Sequence, residues 1–282
     1  MPTAYGVRSA AASILASAAD RLPSVRLRSA PGSRLVYRYY ERRLRRDLRR
    51  VAVPRHIAMI IDGNRRWARE QNLATAGHGH RAGAARLREF VDWCAEIDVE
   101  VVTLYLLSRD NLTGRASAEL GELCEIIAEL ADDLSRIPGR RIRHVGDTAG
   151  LPAPLVAALE GAVARSADQQ GICVNLAVGY GGRHELVEAV RRILSSAGAA
   201  TPAELAERLT PELIAEHLST AGQPDPDLVI RTSGEQRLSD FMLWQSAHSE
   251  FYFVEALGPD LREVDFLRAV RAYGLRERRY GR

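Results

Sequence analysis

The chain has 282 residues, 46% hydrophobic and 27% charged, enough for one large α/β core or two small ones. That balance excludes a disordered polymer, and no run nears the roughly 18 apolar residues of a spanning helix. Its three cysteines (Cys94, Cys124 and Cys173) are odd in number, widely spaced and free of any CxxC pair, which argues against disulfides or structural zinc and fits a reducing cytoplasm.

Charge is unevenly spread along the chain. Residues 1–50 hold twelve arginines against Asp20, Glu41 and Asp47, a local charge of +9, so the other 232 residues carry −6. All 39 basic side chains are arginine, so any phosphate would meet planar guanidinium forks. Residues 1–33, rich in Ala, Ser and Arg with Pro23 and Pro31, read as a disordered arm; Ala10–Ala19 lacks the apolar centre of a secretory signal. A catalytic domain is expected over 34–282. It opens with a basic amphipathic helix at 34–50, whose apolar stripe runs through Leu35, Tyr39, Leu44 and Leu48. That helix is either a solvated basic face or a contact with anionic lipid headgroups.

After Pro54 the pattern changes. HIAMII (56–61) is too short for a helix and is bounded by Pro54 and Asp62-Gly63, so it predicts a buried strand. Helical periodicity follows at 64–71 and 80–97, then a strand at 100–107 and a helix at 116–135. A strand at 141–145, a helix at 152–169 and a strand at 171–178 come next. Helices are expected at 183–196, 202–208, 211–219 and 263–273, with strands at 228–231 and 251–254. This alternation predicts an α/β fold with a mainly parallel sheet of about six strands flanked by helices. Ligands of such sheets sit beyond the carboxyl ends of the strands.

Unusual residues collect at those ends. Strand one runs into Asp62-Gly63-Asn64-Arg65-Arg66-Trp67, a glycine turn opening a helix beside three arginines when Arg69 is included. Such a turn suits a diphosphate, and Asp62 would repel it unless a hydrated Mg²⁺ lay between. A cap-and-turn with a structural aspartate fits the spacing equally well. Arg231 to Ser239 offers two guanidinium groups that could clamp a second phosphate, or simply pair with Glu235. Two anion sites suggest an enzyme that joins two phosphorylated substrates. Gly179-Tyr180-Gly181-Gly182 does not match GxGxxG, and no nucleic-acid signature is present. His78, His144, His184 and His217 lack metal-ligand spacing. Trp67, Trp93 and Trp244 are expected to pack the core, with Trp67 bordering the substrate.

Six blocks, in order, resemble the cis-prenyltransferase (undecaprenyl diphosphate synthase) family: HIAMIIDGNRRWAR, GHRAGAARL, LYLLSRDNL, NLAVGYGGRHELVEAV, PDLVIRTSGEQRLSDFMLWQSAHSEFYF and RRYG. The similarity spans His56 to Gly281 and is greatest to short-chain actinobacterial (Z)-farnesyl diphosphate synthases. It implies a Mg²⁺-dependent homodimer that condenses isopentenyl diphosphate with an allylic diphosphate. An apolar tunnel between sheet and helices would take the growing chain. By this resemblance Asp62 assists loss of the allylic diphosphate, Gly63, Asn64, Arg65, Arg66, Trp67 and His80 bind that substrate, and Asn111 with Ser108 serves deprotonation. Arg231, Arg237 and Ser239 would clamp isopentenyl diphosphate, Glu250 would bind Mg²⁺ beside them as Asp62 does at its own strand end, and Arg279 and Gly281 would reach phosphate across a dimer.

Departures from the family pattern are Ala76 in place of an arginine, Leu107 and Leu112 in place of aromatics, an extra residue that puts Arg115 out of register, and His248 in place of tyrosine. Leu106 replaces a small residue of long-chain members, which predicts a product near C15. The alternatives are an irregular head-to-middle synthase, a decaprenyl or undecaprenyl synthase, and a non-catalytic scaffold subunit. A cytoplasmic protein is the expected setting, with peripheral membrane contact through the basic helix as the alternative to a solvated face.

Overall fold

A computed structural model of the chain describes residues 33–114, 117–196, 198 and 201–276. The arm at 1–32, Arg115, Arg279 and Gly281 lie outside the described residues. Six strands form one sheet: β1 (His56–Ile60), β2 (Val101–Ser108), β3 (Arg140–Val145), β4 (Ile172–Tyr180), β5 (Leu228–Arg231) and β6 (Glu250–Phe253). Their order is β3-β4-β2-β1-β5-β6, and every neighbouring pair is parallel. β1 and β4 are buried along their whole length, which is why they read as mainly apolar runs rather than alternating ones.

The helices are α1 (Ser33–Leu48), α2 (Asn64–Glu70), α3 (Ala76–Ala95), α4 (Arg109–Gly114), α5 (Ser117–Arg136), α6 (Ala153–Arg165), α7 (Gly182–Ser196), α8 (Pro202–Arg208), α9 (Pro211–Glu216) and α10 (Glu263–Leu275). Sequence periodicity predicts all of them except α4, a single turn capped by Ser108, whose Oγ accepts the Asn111 N–H at 3.2 Å. α6 stops short of its predicted end because the Ser166 hydroxyl turns back to the Ala162 carbonyl and accepts the Ile142 N–H, tying the helix end to β3.

Pleating divides the sheet residues between two cores. Ile57, Met59, Val102 and Leu104 face the larger core with α3, α5 and α10, while Ala58, Ile60, Val229 and Tyr105 face a smaller one with Tyr180 and Phe241. A β-bulge at Tyr105–Leu107 breaks this alternation, so Leu106 and Leu107 both pack toward the larger core.

One part of the α1 expectation is corrected. Leu44 and Leu48 are buried as predicted, but Tyr39 is 64% exposed. The packing side runs instead through Tyr37 and Tyr40, which lie against Arg262 and Arg268 of the α10 segment with ring centroids 5.2 and 5.1 Å from the guanidinium carbons. Heptad spacing cannot separate Tyr39 from Tyr40; the position of α10 does.

Candidate active site

The strand order reverses between β1 and β5, and a cavity of about 580 Å³ opens over that point. Its mouth is polar: Asp62, Asn64, Arg65, His80, Ser108 and Asn111 meet Arg231, Arg237 and Ser239 there. Its floor is apolar, formed by Leu87 of α3, Leu106 and Leu107 of the bulge, and Leu123, Ile126 and Leu130 of α5. The bulge aims two consecutive leucines at one space, which a regular strand would not do.

Arg231 organises the mouth. It ends β5 beside Ile60 of β1 and is only 3% exposed. Nη2 donates to Asp62 Oδ2 at 2.6 Å, and Nη1 donates to Ser239 Oγ at 2.8 Å and to the Arg237 carbonyl. The segment after it is held in uncommon backbone: Ser233, Ser239, Asp240 and Met242 all have positive φ, from 46° to 74°. The Tyr105 hydroxyl, donating to the Ser239 carbonyl at 3.1 Å, pins that segment to β2, and burial raises the phenol's pKa. Arg237 is exposed at the rim and pairs with Glu235, which also lies 3.5 Å from Arg66. The Glu235 salt bridges of this segment form, and Arg231 and Arg237 both line the cavity.

On the other side, Gly63 takes φ +92° between β1 and α2 and donates its N–H to Asp62 Oδ1 at 2.7 Å. A Cβ there would stand 2.8 Å from Leu257 and 3.1 Å from Ser233, so the position needs glycine for space as well as conformation. α2 and α3 approach closely through Gly79 and Gly83, where added Cβ atoms would meet the Asn64 carbonyl at 2.0 Å and Asn64 Oδ1 at 2.5 Å. His80, between those glycines, is thereby brought to the cavity.

Sequence reasoning missed Glu119. Its Oε1 lies 3.4 Å from His80 Nε2 and 3.3 Å from Arg65 Nε, linking α5 to both anion-facing helices. The only available signal is an acid in the first turn of α5. Three residues predicted to bind substrate, Gly63, Arg66 and Trp67, border the site without lining the cavity.

Glu250 is not brought to Asp62. It opens β6 in register with Leu228, three residues before Arg231, so about 10 Å of strand separates it from the Asp62 end. There it pairs with Arg276. The two residues predicted to bind metal, Asp62 and Glu250, are thus set apart within the chain rather than brought together.

The donor set at Asp62 does fit Mg²⁺ bound together with phosphate. Its carboxylate is a hard oxygen donor, 37% exposed at the mouth. Among the described residues no cluster of three or more His, Cys, Asp or Glu forms a closed cage. One carboxylate completed by phosphate oxygens and water is a usual Mg²⁺ arrangement. Three buried polar atoms near the mouth also lack protein partners: Asn64 Oδ1, Arg231 Nε and Ser233 Oγ.

Comparison with known proteins points the same way. Residues 60–281 match the profile of the family described as "Putative undecaprenyl diphosphate synthase". The chain is 51% identical over 249 residues to isoprenyl transferase 1 of Corynebacterium diphtheriae, covering 87% of this chain and 94% of that one. It is 53% identical over 248 residues to the (2Z,6E)-farnesyl diphosphate synthase of Thermobifida fusca, covering 87% and 97%. Identity to the short-chain Z-isoprenyl diphosphate synthase of Mycobacterium bovis is 50% over 252 residues, covering 88% and 96%. The crystal structure of lavandulyl diphosphate synthase from Lavandula x intermedia, in complex with dimethylallyl diphosphate, superposes with a TM-score of 0.76 at 33% identity, covering 82% of this chain and 99% of that one.

Proposed function

Because this chain belongs to the cis-prenyltransferase (undecaprenyl diphosphate synthase) family, we propose that it condenses isopentenyl diphosphate with a short allylic diphosphate, geranyl or dimethylallyl. The product is a short-chain cis-prenyl diphosphate, (2Z,6E)-farnesyl diphosphate when the primer is geranyl diphosphate. The observation that carries this reading is the two-part cavity, a cationic mouth continuous with an apolar floor. Few substrates other than an isoprenoid diphosphate need both.

In this reading Asn64, Arg65 and His80 hold the allylic diphosphate, with Arg66 at the rim. Arg237 and Ser239 hold the isopentenyl diphosphate, and Arg231 keeps Ser239 and Asp62 in place. Mg²⁺ would be held by Asp62, where it supplies positive charge to the departing diphosphate. The allylic C1–O bond breaks with its electrons leaving on pyrophosphate, C4 of isopentenyl diphosphate closes on C1, and a proton is lost from C2 to leave a cis alkene. Asn111, fixed by the Ser108 cap, orients a diphosphate oxygen as proton acceptor. The aliphatic floor excludes water from the allylic cation, and Leu106 ends the space near C15. We place the enzyme in the cytoplasm as a homodimer; β6 is an edge strand carrying half-buried Phe251 and Phe253, a surface suited to a second copy.

The purified chain, given geranyl diphosphate and labelled isopentenyl diphosphate, should yield a C15 product with a new cis bond. Products of C50 or longer would overturn the short-chain reading, and no turnover by the chain alone would favour a scaffold subunit. Likeness to lavandulyl diphosphate synthase supports a second reading, in which two dimethylallyl units are joined. Turnover of dimethylallyl diphosphate alone would select it.

A further inference from the structure

The outer face of α1 carries arginine and nothing that neutralises it. Arg38, Arg42 and Arg46 recur at helical spacing on α1 and, with Tyr39 and with Arg49 and Arg50 of the turn that follows, stand exposed. The two acids of the helix are engaged elsewhere, Glu41 with Arg45 at 3.7 Å and Asp47 with Arg271 at 3.5 Å. Among the described residues, none of those five exposed arginines has an ion-pair partner. The opposite face cannot turn outward, because Leu44 and Leu48 are buried in the main core and Tyr37 and Tyr40 lie against Arg262 and Arg268.

We propose that this face is an adhesion surface for an anionic phospholipid bilayer, held by arginine–phosphate attraction without insertion of the helix. An inserting amphipathic helix needs a free apolar stripe, and here that stripe is part of the protein core. Five exposed guanidinium groups, three on the helix and two in the turn after it, match the number of basic residues that holds peripheral proteins to anionic leaflets. Tyr39, 64% exposed among them, presents an aromatic ring with a polar tip, the side chain favoured at headgroup depth. A bilayer fits better than a nucleic acid. Outside residues 1–50 the chain carries −6, which repels a polyanion that follows the surface beyond the helix. The proposed product, itself an amphiphile, gives such contact a use. That last point alone rests on the function proposed above, and vesicle binding requires no catalysis, so the two readings fail separately.

The test is co-sedimentation of the full chain with vesicles of phosphatidylcholine alone and of an equal mixture of phosphatidylcholine and phosphatidylglycerol. Binding is expected only to the mixed vesicles, and it should weaken as salt shortens the Debye length from about 30 Å at 0.01 M to about 8 Å at 0.15 M. The combined variant Arg38→Gln, Arg42→Gln, Arg46→Gln, Arg49→Gln should lose at least about a hundredfold in partitioning while retaining its melting temperature and turnover. Arg42→Glu alone, a milder change, should weaken binding severalfold. Equal binding to neutral vesicles, full binding by the four-arginine variant, or tighter binding to duplex DNA at matched phosphate concentration would each overturn the proposal. A loss above about tenfold in Tyr39→Ser would show insertion and overturn the surface-only mode.

Discussion

Asp62 Oδ2 and Arg231 Nη2 lie 2.6 Å apart although 169 positions separate them in the chain, because β1 and β5 end side by side at the point where the strand order reverses. The pair is asymmetric. The guanidinium is 3% exposed and the carboxylate 37%, so the acid can serve a ligand while the arginine stays in the wall.

Removing the acid therefore does two things. Asp62→Ala leaves a buried cation without its partner; a fully buried pair would lose about 3–5 kcal/mol, and this half-open one should lose less. Asp62→Asn keeps an acceptor for Arg231 but lacks the charge that would hold Mg²⁺. It is expected to melt within a few degrees of the wild type and to lose at least about a hundredfold in kcat, the scale of removing one electrostatic stabiliser. Thermal denaturation and steady-state kinetics on both variants separate these effects. An Asn variant within tenfold of wild-type kcat would remove Asp62 from the chemistry.

Much of this arrangement is legible in the sequence because it follows from local pattern. Short apolar runs ending in Asp62, Ser108 and Arg231 give the strands, and their polar successors fall at one end of a parallel sheet by topology alone. What stays hidden depends on neighbours remote in the chain. Glu119 acquires meaning only when α5 passes beside Arg65 and His80. Glu250, matched by resemblance to a metal-binding glutamate, shows its distance from the Asp62 end only when the register of β6 sets it level with Leu228. Tyr39 and Tyr40 exchange roles once α10 is in place, and the bulge that gives both leucines to the cavity leaves no mark in the run LYLLS.

Leu106 and Leu107 should behave differently despite lining the same cavity. Leu106 is half-buried and packs at the edge of the core, whereas Leu107 is 1% exposed within it. Leu106→Ala is expected to lengthen the product by at least one isoprene unit at little cost in stability. Leu107→Ala should cost about 2–5 kcal/mol and broaden chain length only as a consequence of loosening. Product chromatography together with urea unfolding tests this. Unchanged product length in Leu106→Ala would locate the chain stop elsewhere on the floor.

Gly79 tests the contact between the two anion-facing helices. An alanine Cβ would lie 2.0 Å from the Asn64 carbonyl oxygen, and backbone cannot move aside as a flexible side chain can. Gly79→Ala should push α2 from α3, cost about 1–3 kcal/mol, and raise KM for the allylic diphosphate more than for isopentenyl diphosphate. Equal rises for both substrates would mean that α2 does not belong to the allylic site.

The last prediction concerns pH and lies away from the cavity. His56 is buried at the start of β1, with Nδ1 2.8 Å from the Pro224 carbonyl and Nε2 2.8 Å from Thr103 Oγ1. A carbonyl only accepts, so Nδ1 carries the proton and Nε2 accepts from the Thr103 hydroxyl. That hydroxyl in turn accepts from Asn175 Nδ2 at 2.9 Å. A second proton on Nε2 would break this chain inside the core, and burial pushes the imidazole pKa down from 6.5 to about 4. The unfolded chain therefore takes up a proton between pH 6.5 and 4 that the folded chain refuses. Stability is complete above pH 6.5 and falls with acid across that window, by about 3 kcal/mol in the limit. Carboxylates titrate in the same range, so the measure is a difference. Urea midpoints of the wild type and His56→Gln, taken between pH 7 and pH 4.5, should converge as acid is added, because only the wild type carries the histidine penalty. Parallel curves would show that the imidazole takes no part in the acid sensitivity of the fold.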